Sequence, residues 1–399
     1  MLSEKRRARA TRYYEERSMV LSFEGKACLG ALVVSVAAGL GACSGAPSQA
    51  APGGPTPSPL NIPVLGGGHH AVAASQIHVI STQANGLNAP TDLAFNPQAP
   101  DQLWVTNHAD HSMVIVEHMG TATQASSKRT GTGDDGQHFL AKPAALAFGA
   151  PGRLATAPDE DQKTQPTTPG SFMGPTFWSS DVNVFNGGMA AHYGMLHNSP
   201  LAAGIAWDHD NVFWVFDGTH GSLSRYDFHA GHPLAGTDHS NGEVARFVEG
   251  KVARVAGVMS HLKVDHDTHL LYVADTGNNR IAVLDTTTGT RGAAIVPNFD
   301  ADLQYQMTGA ALTTLVDGSA MGLQQPSGLA LEQQALFVTD NATSRIYAFD
   351  LQGHPLDWLD LSAQIQPGGL MGLTFDAAGN IFLVDNVGNQ VLEITAPAH

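Results

Sequence analysis

From residue 77 onward the apolar positions fall in short runs of four to six, each closed by Gly, Asn, Asp or Pro, with no stretch that sustains a helical period. Runs of that length bounded by turn formers predict antiparallel strands joined by tight connections. One unit recurs six times. Its first half is a small-residue turn entering an apolar strand: Pro90-Thr91-Asp92-Leu93-Ala94-Phe95, Lys142-Pro143-Ala144-Ala145-Leu146-Ala147-Phe148, Ala203-Gly204-Ile205-Ala206-Trp207, Ser260-His261-Leu262-Lys263-Val264, Pro326-Ser327-Gly328-Leu329-Ala330-Leu331 and Met371-Gly372-Leu373-Thr374-Phe375. A second, aromatic-rich strand follows five of these and closes on Asn107, Asp217, Asp275, Asp340 or Asp385. A third follows a Gly/Asn/Ser turn, as in Arg280-Ile281-Ala282-Val283-Leu284-Asp285 and Arg345-Ile346-Tyr347-Ala348-Phe349-Asp350. A fixed supersecondary repeat of this size predicts a closed, radially repeated all-β fold.

The segment Leu271-Tyr272-Val273-Ala274-Asp275-Thr276-Gly277-Asn278-Asn279-Arg280-Ile281 resembles the signature of the NHL-repeat family. The resemblance spans roughly residues 77–394, is strongest in the last three copies and weakest in the second. It implies a six-bladed β-propeller of four-stranded blades around a central channel. Only three strands follow the last turn, so Ile77-His78-Val79-Ile80 is expected to supply the missing outer strand and close the ring. The domain so defined runs over residues 71–399.

Ahead of it lies a 14-residue apolar stretch, Ala27 to Leu40, preceded by Lys26 and ending in Leu40-Gly41-Ala42-Cys43. It is too short to span a bilayer and has small residues at its end, as a signal peptide does. The ending is similar to the bacterial lipobox, in which the Cys receives diacylglycerol. Residues 1–42 then form the signal peptide, with Met1 or Met19 as its start, and Cys43 carries the lipid. Residues 43–70, rich in Gly, Ala, Pro and Ser, are expected to be a flexible tether. This places the protein in the bacterial cell envelope, on the periplasmic or surface face of the outer membrane, with the membrane as a partner through its anchor.

Composition narrows the chemistry. The chain holds 20 Lys/Arg and 36 Asp/Glu; the first 42 residues carry seven and four, leaving 13 and 32 in the remainder, a formal −19. Such a surface repels phosphate backbones, so nucleic acid is not an expected partner. The two cysteines are Cys28, within the signal, and Cys43, which excludes disulfides and cysteine-ligated zinc from the mature domain. The repeated Asp217, Asp275, Asp340 and Asp385 read as turn acceptors, one per blade.

Loops before each inner strand and between the second and third strands emerge on one face, around the channel mouth. Asp92 and His261 occupy matching inner-strand positions where the other copies have Ala145, Gly204, Gly328 and Gly372. Loop position adds His108, His111, His138, His197, Asn198 and His220. A long insertion in the second copy, from Pro158 to Trp178, is expected to lay Phe172, Phe177 and Trp178 over the mouth as a lid or plug. The expected ligand-binding set is Asp92, His197, His220, His261 and Trp178, with His197, His220 and His261 as ligands should a divalent ion, zinc or calcium, be the cofactor. Peptidylamidoglycolate lyases share the repeat and bind zinc through a histidine two residues before the inner-strand Leu/Ile in three blades; here those positions are Thr91, Ala144, Ala203, Ser260, Ser327 and Met371. A second group, His229, His232, Asp238, His239, His266 and His269, falls on loops of the opposite face. None has the i, i+4 spacing of a helical zinc site, and solvated loop histidines are the simpler expectation.

Two functions follow: an envelope-anchored scaffold that binds a peptide, glycan or protein, or a metal-dependent lyase or hydrolase working at the channel mouth. The absence of a phosphate loop or serine elbow favours the scaffold.

Overall fold

The six inner strands expected from the repeat form, and each opens a four-stranded antiparallel blade. The computed structural model describes residues 62–73 and 76–396. The signal peptide, Cys43 and most of the tether lie outside these residues. Among the described residues no helix is long and apolar enough to cross a membrane. The inner strands are Pro90–Asn96, Pro143–Phe148, Ala202–Trp207, Leu262–Asp265, Pro326–Glu332 and Leu370–Phe375. Each pairs antiparallel with the strand that follows it, and the protein is an all-β, six-bladed propeller.

Each blade packs on a neighbour through both faces, so its middle strands are apolar without alternation. In Val212–Asp217 every residue is buried, and Trp214, Phe216 and Leu223 join Leu262, Leu271 and Val273 of the next blade in one cluster. At Gly204 and Gly328 of the inner strands the neighbouring blade approaches so closely that a side chain is excluded. A Cβ on Gly204 would lie 2.0 Å from the Ser260 carbonyl oxygen, and one on Gly328 would lie 2.2 Å from that of Met371. That contact explains the small residues of the repeat. Hydroxyls fasten the same seams: Thr91 Oγ1 donates to Pro143 O at 3.0 Å, Thr276 Oγ1 to Pro326 O and Thr339 Oγ1 to Met371 O, both at 2.6 Å.

The ring closes as the strand count requires. Ile77–Thr82 pairs antiparallel with Gln390–Ile394, Ile77 opposite Ile394 and Thr82 opposite Gln390, with a bulge between Val79 and Ser81. The turn acids are structural: Asp217 Oδ1 accepts from Thr219 N and His220 N, Asp340 Oδ2 from Gln324 N and Gln325 N, and Asp385 Oδ1 from Gly388 N.

Three features depart from expectation. Residues 62–70 are not tether. Val64 and Leu65 are buried among Leu359, Leu361 and Ile365, Ile62 N donates to Asp357 Oδ2 at 3.1 Å, and the His70 ring stacks on Trp358 at 4.1 Å. Trp178 is not on a lid. The strand Thr176–Ser179 is the third of blade 2, and Trp178 is fully buried against Phe185 and Trp104's cluster, with Nε1 donating to Thr156 Oγ1 at 2.9 Å. Phe177 is buried with it and packs on Phe228, while Phe172 is half-buried beneath the Lys163 ammonium. Finally, a hairpin of blade 4, Thr290–Ala294 with Leu303–Thr308, crosses to blade 3 and pairs parallel with its outer strand Glu243–Phe247, extending that sheet to six strands.

Candidate functional site

On the propeller axis, blades 1 and 4 face each other and the two polar residues of the inner column meet. His261 Nδ1 lies 3.5 Å from Asp92 Oδ1. The carboxylate is already committed, Oδ2 accepting from Leu146 N at 3.0 Å and Oδ1 from Leu93 N at 2.9 Å. His261 is 3% exposed and its Nε2 is buried without a hydrogen-bond partner. Burial pushes its imidazole pKa down, against the opposing pull of Asp92, so the ring is neutral near pH 7. The two buried side chains meet where the inner strands of blades 1 and 4 approach.

The other expected members do not join it. His197 is buried elsewhere, with Nδ1 donating to the Asp300 carboxylate at 2.8 Å and Nε2 meeting the Thr164 hydroxyl at 2.6 Å, so both ring nitrogens are engaged. His220 Nδ1 donates to Asp217 Oδ2 at 2.7 Å within its own turn. Trp178 belongs to the core of blade 2. His197, His220 and His261 do not gather into one group of metal-capable side chains; among the described residues the one such group lies elsewhere. Asp300 comes from the blade 4 hairpin connection and is distant in sequence, which is why loop position alone did not reveal the partner of His197.

What the loops do bring together over the mouth is a charged network from three regions of the ring. His108, after the second strand of blade 1, reaches Asp159 Oδ2 at 3.2 Å, and Arg254, from the connection between blades 3 and 4, reaches Asp159 Oδ1 at 2.8 Å. Lys142 Nζ pairs with Glu160 beside it at 2.9 Å. Burial opposes the Asp159 charge, but the His108 hydrogen bond and the Arg254 guanidinium outweigh it and hold the carboxyl below its usual range. His108 was expected at the mouth; Asp159, Arg254 and Glu160 were not, because acids and an arginine in irregular loops carry no periodic signal.

A second cluster lies at the rim between blades 2 and 3. His192 opens the outer strand of blade 2, His192–Met195, and His232 and His239 lie on the blade 3 loop between Ser222–Asp227 and Glu243–Phe247. The loop is pinned by His232 N donating to Tyr193 O at 2.9 Å. The nitrogens of these three histidines lie within 4.8 Å of one another, and among the described residues this is the one such group of three metal-capable side chains. His232 and His239 are thus not solvated loop histidines. Burial pushes the His192 pKa down to about 4, the Met189 carbonyl opposing and the neighbouring histidines reinforcing the shift. Asp302, near Asp300, is pushed up to about 6 by burial and by that like charge.

A six-bladed β-propeller with a buried Asp92–His261 contact, a charged mouth and a histidine-lined rim is thus defined. Of three similar solved structures, the first supports the fold. An auxiliary nutrient binding protein from Bacteroides ovatus is 12% identical with a TM-score of 0.50, over 81% of this chain and 76% of that one. A calcium-binding protein, regucalcin, from Agrobacterium tumefaciens is 10% identical with a TM-score of 0.49, over 82% and 94%. Virginiamycin B lyase from Staphylococcus aureus is 13% identical with a TM-score of 0.46, over 80% and 98%. At these identities the likeness concerns fold alone. No family profile matches the chain, and no curated protein is similar to it in sequence.

Proposed function

We propose that the protein is an NHL-type propeller lipoprotein of the bacterial cell envelope, anchored through Cys43, that serves as a scaffold binding a peptide, glycan or protein. Leu271 to Ile281 supports the repeat family and Leu40-Gly41-Ala42-Cys43 the anchor. The observation that carries the binding role is the His108–Asp159–Arg254 network, in which loops of separate blades bring oriented, part-buried charges together. Against the lyase or hydrolase reading at that mouth, both ring nitrogens of His197 are engaged, and His197, His220 and His261 do not gather into one metal-capable group.

The test has two arms. Fatty-acid labelling and membrane partitioning of the wild type against Cys43→Ala examine the anchor; equal partitioning removes it. Thermal-shift screening of the chain against peptide and oligosaccharide panels examines the scaffold, with hits repeated on Arg254→Glu. Binding weakened at least about 10-fold by that substitution supports the mouth; unchanged binding, or turnover of a bound compound, overturns the scaffold reading.

A further inference from the structure

The rim histidines are built in a way that solvated residues are not. His192 is 1% exposed and His232 is 7% exposed. In each, Nδ1 donates to a backbone carbonyl, Met189 O at 2.7 Å and Pro233 O at 2.6 Å. A carbonyl can only accept, so both rings are held in the tautomer that leaves the Nε2 lone pair free. This is how metal-binding imidazoles are oriented by their surroundings. His232 Nε2 is buried with no hydrogen-bond partner, a costly arrangement for a polar atom unless something else binds it. The three rings are splayed, with interplanar angles of 77°, 53° and 52° and centroids 4.7, 5.0 and 6.4 Å apart, so that ring edges converge where stacked faces would hold the nitrogens apart. The backbone closes around them as well. A Cβ on Gly236 would lie 2.7 Å from His232 Nδ1, so that position admits no side chain while the ring stays where it is.

We propose that His192, His232 and His239 bind one divalent transition-metal ion of the zinc class. This site is separate from the channel mouth and independent of the scaffold reading. Three neutral imidazoles without a carboxylate or thiolate suit zinc, nickel or copper(II) and disfavour calcium and magnesium. A tetrahedral centre with bonds of about 2.0–2.1 Å holds its ligand atoms about 3.4 Å apart. The ligand atoms lie within 4.8 Å of one another, and His239, only half-buried, is the ring freest to adjust toward that spacing. Three protein ligands leave a fourth position for water or a small ligand. The ion also joins the blade 3 loop to the outer strand of blade 2, so its binding stabilises that seam.

The untagged chain is equilibrated with zinc chloride, freed of loose ion by gel filtration and assayed by elemental analysis and calorimetric titration. One zinc per chain is expected, with affinity lowered at least about 100-fold in His239→Ala and in His232→Ala, and about 10-fold in Gly236→Ala. His229→Ala, an exposed histidine of the same loop, should bind as the parent does. Cobalt(II) should give the intense visible bands of a four-coordinate nitrogen site in the parent and lose them in His239→Ala. Should His232→Ala fail to fold, His239→Ala decides, since its side chain contributes little to the core. Parent-like zinc affinity in folded His239→Ala, or no zinc on the folded parent, overturns the proposal.

Discussion

Replacing Ile80 with Asp tests the ring closure against a built-in control one residue away. Ile80 is 6% exposed and packs with Leu87, Leu93, Val105, Val384 and Val391, so it is fixed to both the first and the last blade. Val79, on the opposite face of the same strand, is 56% exposed. Losing a buried Ile side chain costs about 2–3 kcal/mol of transfer free energy. An unpaired carboxyl in its place either ionises in an apolar pocket or stays protonated with a raised pKa. A rise of about two units costs roughly another 3 kcal/mol near neutral pH. Ile80→Asp should therefore lose about 5 kcal/mol, which at about 2 °C per kcal/mol for a domain of this size lowers the melting temperature by about 10 °C. Val79→Asp should cost under about 1 kcal/mol. Differential scanning calorimetry of both variants from pH 4 to pH 8 separates the contributions. The deficit of Ile80→Asp should shrink on acidification, because protonation removes the charge penalty and leaves the packing loss. Equal melting shifts in the two variants, or a shift under about 2 °C in Ile80→Asp, would refute the placement of this strand.

Other outcomes follow from single contacts. Asp92→Ala should cost about 2–4 kcal/mol in urea denaturation by orphaning the Leu146 and Leu93 amides, whereas His261→Leu, which removes an unpartnered nitrogen, should leave the midpoint unchanged or higher. Gly328→Ala should lose about 1–3 kcal/mol because its methyl meets the Met371 carbonyl, again read from the urea midpoint. Asp302 has a folded pKa of about 6 against an ordinary 3.8, so the native state binds the extra proton and stability falls as pH rises from about 4 to 6. Asp302→Asn should abolish that slope and raise stability above pH 6 by up to about 3 kcal/mol, measured as melting temperature against pH.

The ring was legible in the sequence because each blade repeats the same local contacts: Gly204, Gly328 and Gly372 mark seams where a neighbour's backbone approaches, and Asp217, Asp340 and Asp385 mark turns. Closure was legible by counting strands. Trp178 was misplaced because residues 159–175 separate it from the strand it pairs with, so Phe177 and Trp178 looked isolated and exposed. The segment 62–70 was hidden by its Gly-rich surroundings, although Ile62-Pro63-Val64-Leu65 is an apolar run that needs a place to bury. Asp92 meeting His261 was legible from the column they share. The pairings of His197 with Asp300 and of His192 with His232 and His239 were not, since each depends on an insertion that folds onto a different blade.

Closure by the two ends of the domain also sets an order on synthesis. Among the strands of the ring Ile77–Thr82 is the first to emerge, yet its partner Gln390–Ile394 is the last of them to be made. At about 5–20 residues per second, the roughly 300 residues between them take about 15–60 s to produce. Until Gln390–Ile394 is made the first strand has no partner in its own blade, and the blades already made can form no more than an open arc with bare edges at both ends. The arc is held only by neighbour-to-neighbour seams, and no native ring exists until the final strand is released. A chain truncated before Gln390 would leave the first strand with nothing to pair, so quality control that senses exposed strand edges would distinguish finished from unfinished chains at this one joint.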